Sequence, residues 1–512
     1  MNILLLNPPP NDRSWYRVEH LGMAYLAAVL RREGHTVQIL DSLLESLNTK
    51  QAYEIIRTKY HHIDLLGITA TEPESIISGT QIVRWLKEDD FKAHIVTGGY
   101  LPTFWSDMVL QMYPEVDTIV VGEGEETLTE LVKTLEQNGD LGKIRGLVYR
   151  DAANVIIHNP PRPLIRDLDD LPFPARDSLS LANQKYYHAS MSGSRGCYHQ
   201  CSFCQIAQFY RLSSGVPYRT RSAKNIADEI ELLVNKHRIR SIYFVDDEFI
   251  TESANRHQVI WELIDEIKTR KIDVSLSIQF RADTGKDENL LSALKEVGVK
   301  TVFIGVESGV DSVLQRFNKG ILRKDVDRAL QIVQGLDFNL IIGYLVYNPD
   351  TDFEELRQSV KYLTSPDVPL VKVFHGMNIL KDTEEDRKII GSEWARRRGF
   401  NIGYRVKDER VATFANWLRA YYEFYRPVVL DIYELIFLFI DIPDDILAEM
   451  RLVEDELRTY HNLFLNRAID SLTLNPGITN FQFDEFQTKL QDLYIKSHQL
   501  VNKVRLSYDQ ID

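Results

Sequence analysis

Ser194-Arg195-Gly196-Cys197-Tyr198-His199-Gln200-Cys201-Ser202-Phe203-Cys204 holds every cysteine of a 512-residue chain. Three thiols at the spacing C-x3-C-x2-C are an odd-numbered set within one loop, which excludes a disulfide framework and suits a reducing compartment. They read as a single metal site. Iron-sulfur cubanes are held by thiolates, normally four, so three cysteines fill three irons and leave the fourth open. Zinc is the alternative, with His199 completing a Cys3His set. His199 stands two residues from both Cys197 and Cys201, which makes a tetrahedral shell in so tight a loop awkward, and structural zinc sites usually draw on separated ligand pairs.

Downstream of the loop, helical and extended stretches alternate. Periodicity predicts helices over 222–236, 254–268, 288–296, 324–335 and 353–363, with strands over 241–245, 274–280, 301–306, 339–346 and 370–374. With the cysteine-bearing segment this makes about six β/α repeats, and right-handed crossovers of that number curl into a partial (β/α)6 TIM-type barrel whose mouth lies at the strand carboxyl ends. Residues 186–390 form this unit. Its strand ends carry Tyr243-Phe244-Val245-Asp246-Asp247-Glu248-Phe249, Ser277-Ile278-Gln279-Phe280-Arg281-Ala282-Asp283, Ile304-Gly305-Val306-Glu307-Ser308-Gly309 and Ile341-Ile342-Gly343-Tyr344. Taken singly each reads as a helix cap or a solvated loop charge; four behind a cysteine loop read as a site.

Upstream, residues 141–185 read as a connector, with a hairpin at 146–150 and 154–157 followed by five prolines between 160 and 174 that enforce an extended path. Before it, residues 1–140 alternate strands over 3–7, 36–41, 64–69, 94–98 and 116–122 with helices over 21–33, 51–60, 74–88 and 126–137. This is an α/β pattern of the Rossmann-like, doubly wound kind. Ligands of such sheets sit beyond the strand carboxyl ends, here Asn7-Pro8-Pro9-Pro10, Asp41-Ser42, Thr69-Ala70-Thr71, Gly98-Gly99-Tyr100 and Gly122-Glu123-Gly124-Glu125. These are equally the residues of ordinary turns.

After 390 the pattern turns helical, so residues 391–512 are expected to form a helical C-terminal region capping the rest. Trp417, Tyr421, Phe424 and Tyr425 share a helical face, read as core in preference to a cofactor wall. The apolar stretch 428–442 is broken by Asp431, Glu434 and Asp441 and reads as a buried helix. The short apolar N-terminus suits neither a leader nor a membrane span, so a cytoplasmic location is expected. A hydrophobic fraction of 44% with 26% charged residues is that of a globular protein. The formal charge of -14 disfavours a phosphate-gripping, nucleic-acid-binding role.

The cysteine loop, with Phe203 just before its last cysteine and β/α repeats behind it, resembles the radical S-adenosylmethionine (SAM) superfamily. The resemblance implies a [4Fe-4S] cluster on Cys197, Cys201 and Cys204 whose fourth iron chelates SAM. An electron then splits the sulfonium to a 5'-deoxyadenosyl radical that abstracts a substrate hydrogen. It implies SAM contacts from Phe203, Asp247, Gln279, Arg281, Glu307 and Gly343, and an electron donor such as flavodoxin or ferredoxin.

The domain order resembles a narrower class, radical enzymes with an N-terminal cobalamin-binding domain, which includes anaerobic magnesium-protoporphyrin ester cyclases and carbon methyltransferases. The carrying residues are Asn7-Pro8-Pro9, Leu21-Gly22-Met23-Ala24-Tyr25-Leu26-Ala27, Gly34-His35-Thr36-Val37, Gly98-Gly99, Pro114-Glu115-Val116-Asp117, Val121-Gly122-Glu123-Gly124-Glu125 and Leu168-Asp169-Asp170-Leu171-Pro172. Cobalamin contacts are implied at Asn7, His20, Thr69, Gly98, Gly99, Gly122 and Glu123. The aspartate-histidine-glycine motif that supplies a lower cobalt ligand is absent. His20 is left either as that ligand or as a surface histidine at a helix start. The class implies methyl transfer to an unactivated carbon of a small molecule or peptide, one SAM methylating cobalt and a second making the radical. Its cyclases and oxidoreductases are the alternative, and a non-catalytic cobalamin- or nucleotide-binding scaffold is the reading from another class. A methylthiotransferase is disfavoured by the acidic charge and by the lack of cysteines for a second cluster.

Overall fold

A computed structural model of the chain describes residues 1–9, 19–179, 188–251, 253–372, 374–438 and 442–508. Pro10, and the 439–441 part of the apolar stretch, lie outside the described residues. The first sheet contains β1 (Asn2–Asn7), β2 (Thr36–Asp41), β3 (Leu65–Thr69), β4 (His94–Gly98) and β5 (Thr118–Val120) as parallel neighbours in the order β2-β1-β3-β4-β5. Ile3, Leu4, Leu5 and Leu6 of β1 are all buried. A strand covered on both faces needs such an unbroken apolar run. Its helices are α1 (Leu21–Arg32), α2 (Thr49–Lys59), α3 (Pro73–Glu88), α4 (Tyr100–Met112) and α5 (Glu125–Glu136).

Two features differ from the sequence reading. Helix α4 was not predicted, because Tyr100-Leu101-Pro102-Thr103-Phe104-Trp105 looks like a proline-broken loop; Pro102 sits in the first turn, where a missing N–H costs nothing. The hairpin assigned to the connector, β6 (Leu147–Arg150) and β7 (Ile156–His158), pairs antiparallel with β5 and extends the first sheet to seven strands.

The second sheet holds six strands in the order β15-β14-β13-β12-β11-β8, every pair parallel. They are β8 (His188–Met191), β11 (Ser241–Phe244), β12 (Ser275–Arg281), β13 (Val299–Glu307), β14 (Asn339–Tyr347) and β15 (Phe374–Gly376). A short antiparallel pair, β9 (Ser194–Arg195) and β10 (Arg219–Thr220), brackets the cysteine loop and its helix α6 (Ile206–Arg211). The predicted partial barrel is present. Its last strand spans Phe374–Gly376, against the expected 370–374; Lys372, ahead of it, pairs with Glu454 at 3.1 Å and donates to the Leu340 carbonyl of β14, and Val373 lies outside the described residues.

The tail is not helical throughout. After helix 384–389 comes a β-hairpin, β16 (Ala395–Arg398) and β17 (Asn401–Tyr404), before three long helices at Glu409–Leu438, Asp444–Leu474 and Asp484–Tyr508. Three consecutive arginines erase the alternation that would have announced a strand, and Gly399, with φ +59°, makes the turn. The helices share one continuous core with the barrel. Trp417, Tyr421 and Tyr425 are buried, and the Tyr425 ring stacks on Phe374 of β15 at 5.6 Å. An open barrel exposes an edge strand, and this packing covers it.

The two sheets are joined by buried charge. Arg176, at the end of the proline-rich segment, reaches Glu19 just before α1 and Glu229 on helix 223–237 of the barrel, while Arg221 also binds Glu229 at 2.5 Å. All four side chains are at most 5% exposed. Burial pushes the Glu19 carboxyl up to about 7 from an ordinary 4.5, against the pull of Arg176. A raised value means that the native state binds the proton more tightly. That contribution to stability is complete below 4.5 and lost as pH rises to 7. Glu19→Gln is expected to flatten the urea-unfolding stability between those pH values; a slope equal to that of the parent would contradict the assignment.

Candidate functional site

The cysteine loop is tied down at several points. Gly196 has φ +88°, and a Cβ there would lie 1.9 Å from the Pro217 carbonyl oxygen, so no other residue fits. Its N–H donates to the Asp247 carboxylate at 3.0 Å. Asp246, fully buried against Arg256, accepts from Gly193 N–H and the Ser194 hydroxyl. At the far end, Ser202 N–H donates to the Phe317 carbonyl and Asn318 Nδ2 to that of Gln200. Phe203 packs edge-on against Phe317 in an apolar cluster with Met377, Ile379 and Ile402. Gly196→Ala is expected to shift this loop and leave purified protein with a minor fraction of the parent's iron. Undiminished iron would show that the loop tolerates the change.

The thiols sit in a charged, largely buried pocket. The Cys197 S–H donates to Glu248 Oε2 at 3.4 Å, and Arg281 Nη1 donates to Cys201 Sγ at 3.3 Å. Arg281 also holds Asp283 at 3.0 Å, lies 4.0 Å from Glu248, and donates to the Lys319 carbonyl. Lys319 is buried and paired with Glu307 at 3.0 Å. Burial raises the Cys204 thiol to about 11, and burial with the adjacent Glu248 carboxylate raises Cys197 further. Burial also pushes Glu248 up to about 8 and Asp247 up to about 7. Two buried cations beside Cys201 fit a site completed by an anionic thiolate-iron group, which Arg281 and Lys319 would compensate. His199 does not close a zinc shell: its Nε2 faces Asp283 at 4.0 Å, and burial with the nearby Arg281 charge lowers it to about 4. Among the described residues, no three His, Cys, Asp or Glu side chains converge on a single ion.

Arg281 and Glu307 thus stand within this charged network, while Asp247 is bound to the Gly196 N–H of the loop. Gln279 is one step removed, its amide donating to the Asp246 carbonyl at 2.6 Å and accepting from Tyr243. Gly343, on β14, is where a Cβ would meet the Phe303 ring at 2.9 Å, so it serves strand packing. Glu248 was missed as an individual, although it lies in the quoted strand end. Its Oε1 is buried without a hydrogen-bond partner, an acceptor suited to a ligand ammonium group.

A cavity of about 350 Å³ separates the two sheets. From the first domain it is lined by His20, Tyr25, Thr69, Gly98, Gly99, Tyr100, Gly122, Glu123 and Glu125, and from the barrel by Ser194, Arg195, Tyr210 and Asp247 among others. Six of the seven predicted cobalamin residues meet there. Asn7 does not; its amide donates to buried Asp41 at 2.9 Å. Gly99 has φ +106°, and a Cβ would strike the Ala70 carbonyl at 2.7 Å, leaving bare backbone at the cavity wall. Small residues at the strand ends and aromatic Tyr25, Tyr100 and Tyr210 suit a broad flat ligand, and cobalamin fits that description.

His20 is at a helix start, but faces the cavity, not the surface. Its Nδ1 accepts from Met23 N–H at 3.2 Å, which leaves the proton of the neutral ring on Nε2, directed to Thr69 Oγ1 at 3.1 Å. Burial lowers its pKa and keeps it neutral. No ring lone pair remains for cobalt. Accordingly His20→Asn, which preserves the cap, is expected to leave the absorption spectrum of bound cobalamin unchanged, whereas a spectral shift would reveal a ligating His20.

Glu123 faces the cavity yet is engaged elsewhere. It binds Arg195 at 3.1 Å and Arg219 at 2.8 Å, and Glu125 binds Arg195 at 2.6 Å, with the Arg195 guanidinium over the Tyr25 ring. These pairs fasten the segment entering the cysteine loop to the first domain. The Arg195 signal was present in the quoted motif, but nothing in sequence announces its partners about 70 residues earlier.

A cysteine loop at a barrel mouth beside a Rossmann-like ligand cavity sets two candidate cofactor sites next to each other. Residues 191–363 match the radical SAM superfamily model and residues 13–132 the B12-binding domain model. The chain is 29% identical over 448 residues to an uncharacterized methyltransferase of Pyrococcus horikoshii, covering 84% of this chain and 95% of that protein. It is 31% identical over 351 residues to the anaerobic magnesium-protoporphyrin IX monomethyl ester cyclase of Rubrivivax gelatinosus, covering 66% and 60%. The fold is similar to that of the cobalamin-dependent SAM radical enzyme OxsB, with TM-score 0.77 at 18% identity over 100% of this chain and 80% of that one. It is also similar to the radical SAM methyltransferase TsrM of Kitasatospora setae, with TM-score 0.62 at 17% identity over 76% and 75%. The chain belongs to the radical SAM superfamily, in the class with an N-terminal B12-binding domain, and its cofactors are a [4Fe-4S] cluster, SAM and cobalamin.

Proposed function

We propose that the protein methylates an unactivated carbon of a small-molecule or peptide substrate that sits in the cavity between the two domains. One observation carries the reading: a single cavity is walled by the predicted cobalamin residues on one side and by Asp247 and Arg195, beside the cysteine loop, on the other. When bound, the cluster and SAM supply a 5'-deoxyadenosyl radical and cobalamin a transferable methyl group. Cys197, Cys201 and Cys204 would hold the cluster. Arg281 and Lys319 balance its charge, and Glu248 offers the buried acceptor for the SAM ammonium group. Asp247 braces Gly196 and so fixes the loop's approach to the cavity. Tyr25, Tyr100 and Tyr210 exclude water from the intervening space. We place the enzyme in the cytoplasm, with flavodoxin or ferredoxin as donor; no helix among the described residues is long and apolar enough to cross a membrane.

The test is anaerobic reconstitution with iron, sulfide and cobalamin, followed by incubation with SAM and dithionite. The expected result is about four irons and one corrinoid per chain, with both 5'-deoxyadenosine and S-adenosylhomocysteine released. Formation of 5'-deoxyadenosine without S-adenosylhomocysteine would favour the cyclase-type chemistry of the Rubrivivax relative. Zinc without iron, or no product of SAM at all, would remove the enzyme reading.

A further inference from the structure

We propose that the arginine hairpin β16–β17 is the docking face for a small acidic one-electron carrier protein that reduces the cluster. The proposal rests on the radical-enzyme reading above and adds where the electron enters.

The hairpin is built against the cysteine loop. Ile402 and Tyr404 of β17 and Ala395 of β16 pack in the same apolar cluster as Phe203, the residue between Cys201 and Cys204. The preceding segment binds the loop directly: Glu385 N–H donates to the Ser202 carbonyl at 3.2 Å, and Gln205 Nε2 donates to that of Lys381 at 2.9 Å. On the other side Phe400 packs on Trp105 and Tyr113 of the first domain, so the hairpin is fixed on both flanks.

Its charge is divided by strand alternation. Arg397 is spent internally, on Asp386 at 2.7 Å and over the Trp105 ring at 5.8 Å. Arg396 and Arg398 project to the opposite side, exposed and with no ion pair among the described residues. Leu380 and Ile390, exposed at 41% and 52%, lie in the segment leading to them. Residues 379–407 hold eight lysines and arginines against five carboxylates, in a chain of formal charge -14. Unpaired arginines with exposed apolar side chains have the composition of a protein interface. An acidic carrier is repelled by the net negative charge of the chain and attracted here, which orients it toward the hairpin that backs the cysteine loop. In the transfer one electron leaves the carrier and enters the cluster; no bond breaks and no proton is needed. An RNA partner would call for a wider basic stripe than two arginines.

The probe is pre-reduced flavodoxin, mixed by stopped flow with the reconstituted enzyme in the absence of SAM, with bleaching of the cluster absorbance as readout. Arg396→Glu/Arg398→Glu is expected to lower the second-order rate about tenfold at low ionic strength and to abolish its salt dependence. Reduction by dithionite should stay at the parental rate, and Arg396→Lys/Arg398→Lys should restore flavodoxin reduction. A flavodoxin rate unaffected by charge reversal overturns the proposal, as does an equal loss with dithionite. Competition by bulk tRNA for the hairpin with no flavodoxin effect also overturns it. Failure of the radical-enzyme reading appears separately, as a parent protein with no cluster absorbance to bleach.

Discussion

Cys201→Ala is expected to lose the cluster and with it all 5'-deoxyadenosine formation. Cys201 is the most enclosed of the three thiols, and its sulfur is the acceptor for Arg281. With two thiolates left, the iron group has too few anchors. Arg281 keeps Asp283 and Lys319 keeps Glu307, so the surrounding ion pairs and the fold survive. The expected signature is therefore a soluble protein with parental far-ultraviolet circular dichroism, iron reduced to traces after reconstitution, and undiminished corrinoid binding. Retained iron with continued SAM cleavage would sink the assignment of these cysteines. Corrinoid loss in parallel with iron would mean that the two sites are not built independently.

Arg176→Ala is expected to cost about 3–5 kcal/mol of folding stability at pH 8, the order found when one partner of a buried ion pair is removed. The change leaves Glu229 to Arg221 alone and Glu19 with no cation, in a region where no side chain of the set exceeds 5% exposure. Urea unfolding should show a lowered midpoint, with the deficit narrowing toward pH 5 as Glu19 takes up a proton. A deficit under about 1 kcal/mol, as for an exposed pair, would show that water reaches the seam.

The order of domains and nearly every strand of both sheets were legible in the sequence, because parallel strands announce themselves as unbroken apolar runs between amphipathic helices. Helices 288–296 and 353–363 agree with their periodicity to the residue. What failed was local pattern overridden by context. Helix α4 hides behind Pro102, and β16 behind its arginines. For the candidate site, residue types at strand ends marked side chains that the fold gathers around the cysteine loop and one cavity, without assigning partners. Glu123 read as a cofactor contact and proves to be tied to Arg195 and Arg219, whereas Glu248, one residue past the favoured Asp247, is the carboxylate touching Cys197. Pairings across 50 to 100 residues, such as these, have no periodicity to betray them.

The Arg176 knot also bears on how such enzymes can be recombined. Its members come from three separate stretches of chain: Glu19 at the threshold of the first domain, Arg176 on the connector, and Arg221 with Glu229 on the barrel. A chimera that grafts a foreign corrinoid module onto this barrel therefore inherits two buried guanidiniums, Arg176 and Arg221, sharing the single carboxylate of Glu229, unless the graft brings a carboxylate to the place of Glu19. Module exchange in this architecture is a matter of matching that buried charge, and a join chosen only by sequence alignment at the linker will miss it.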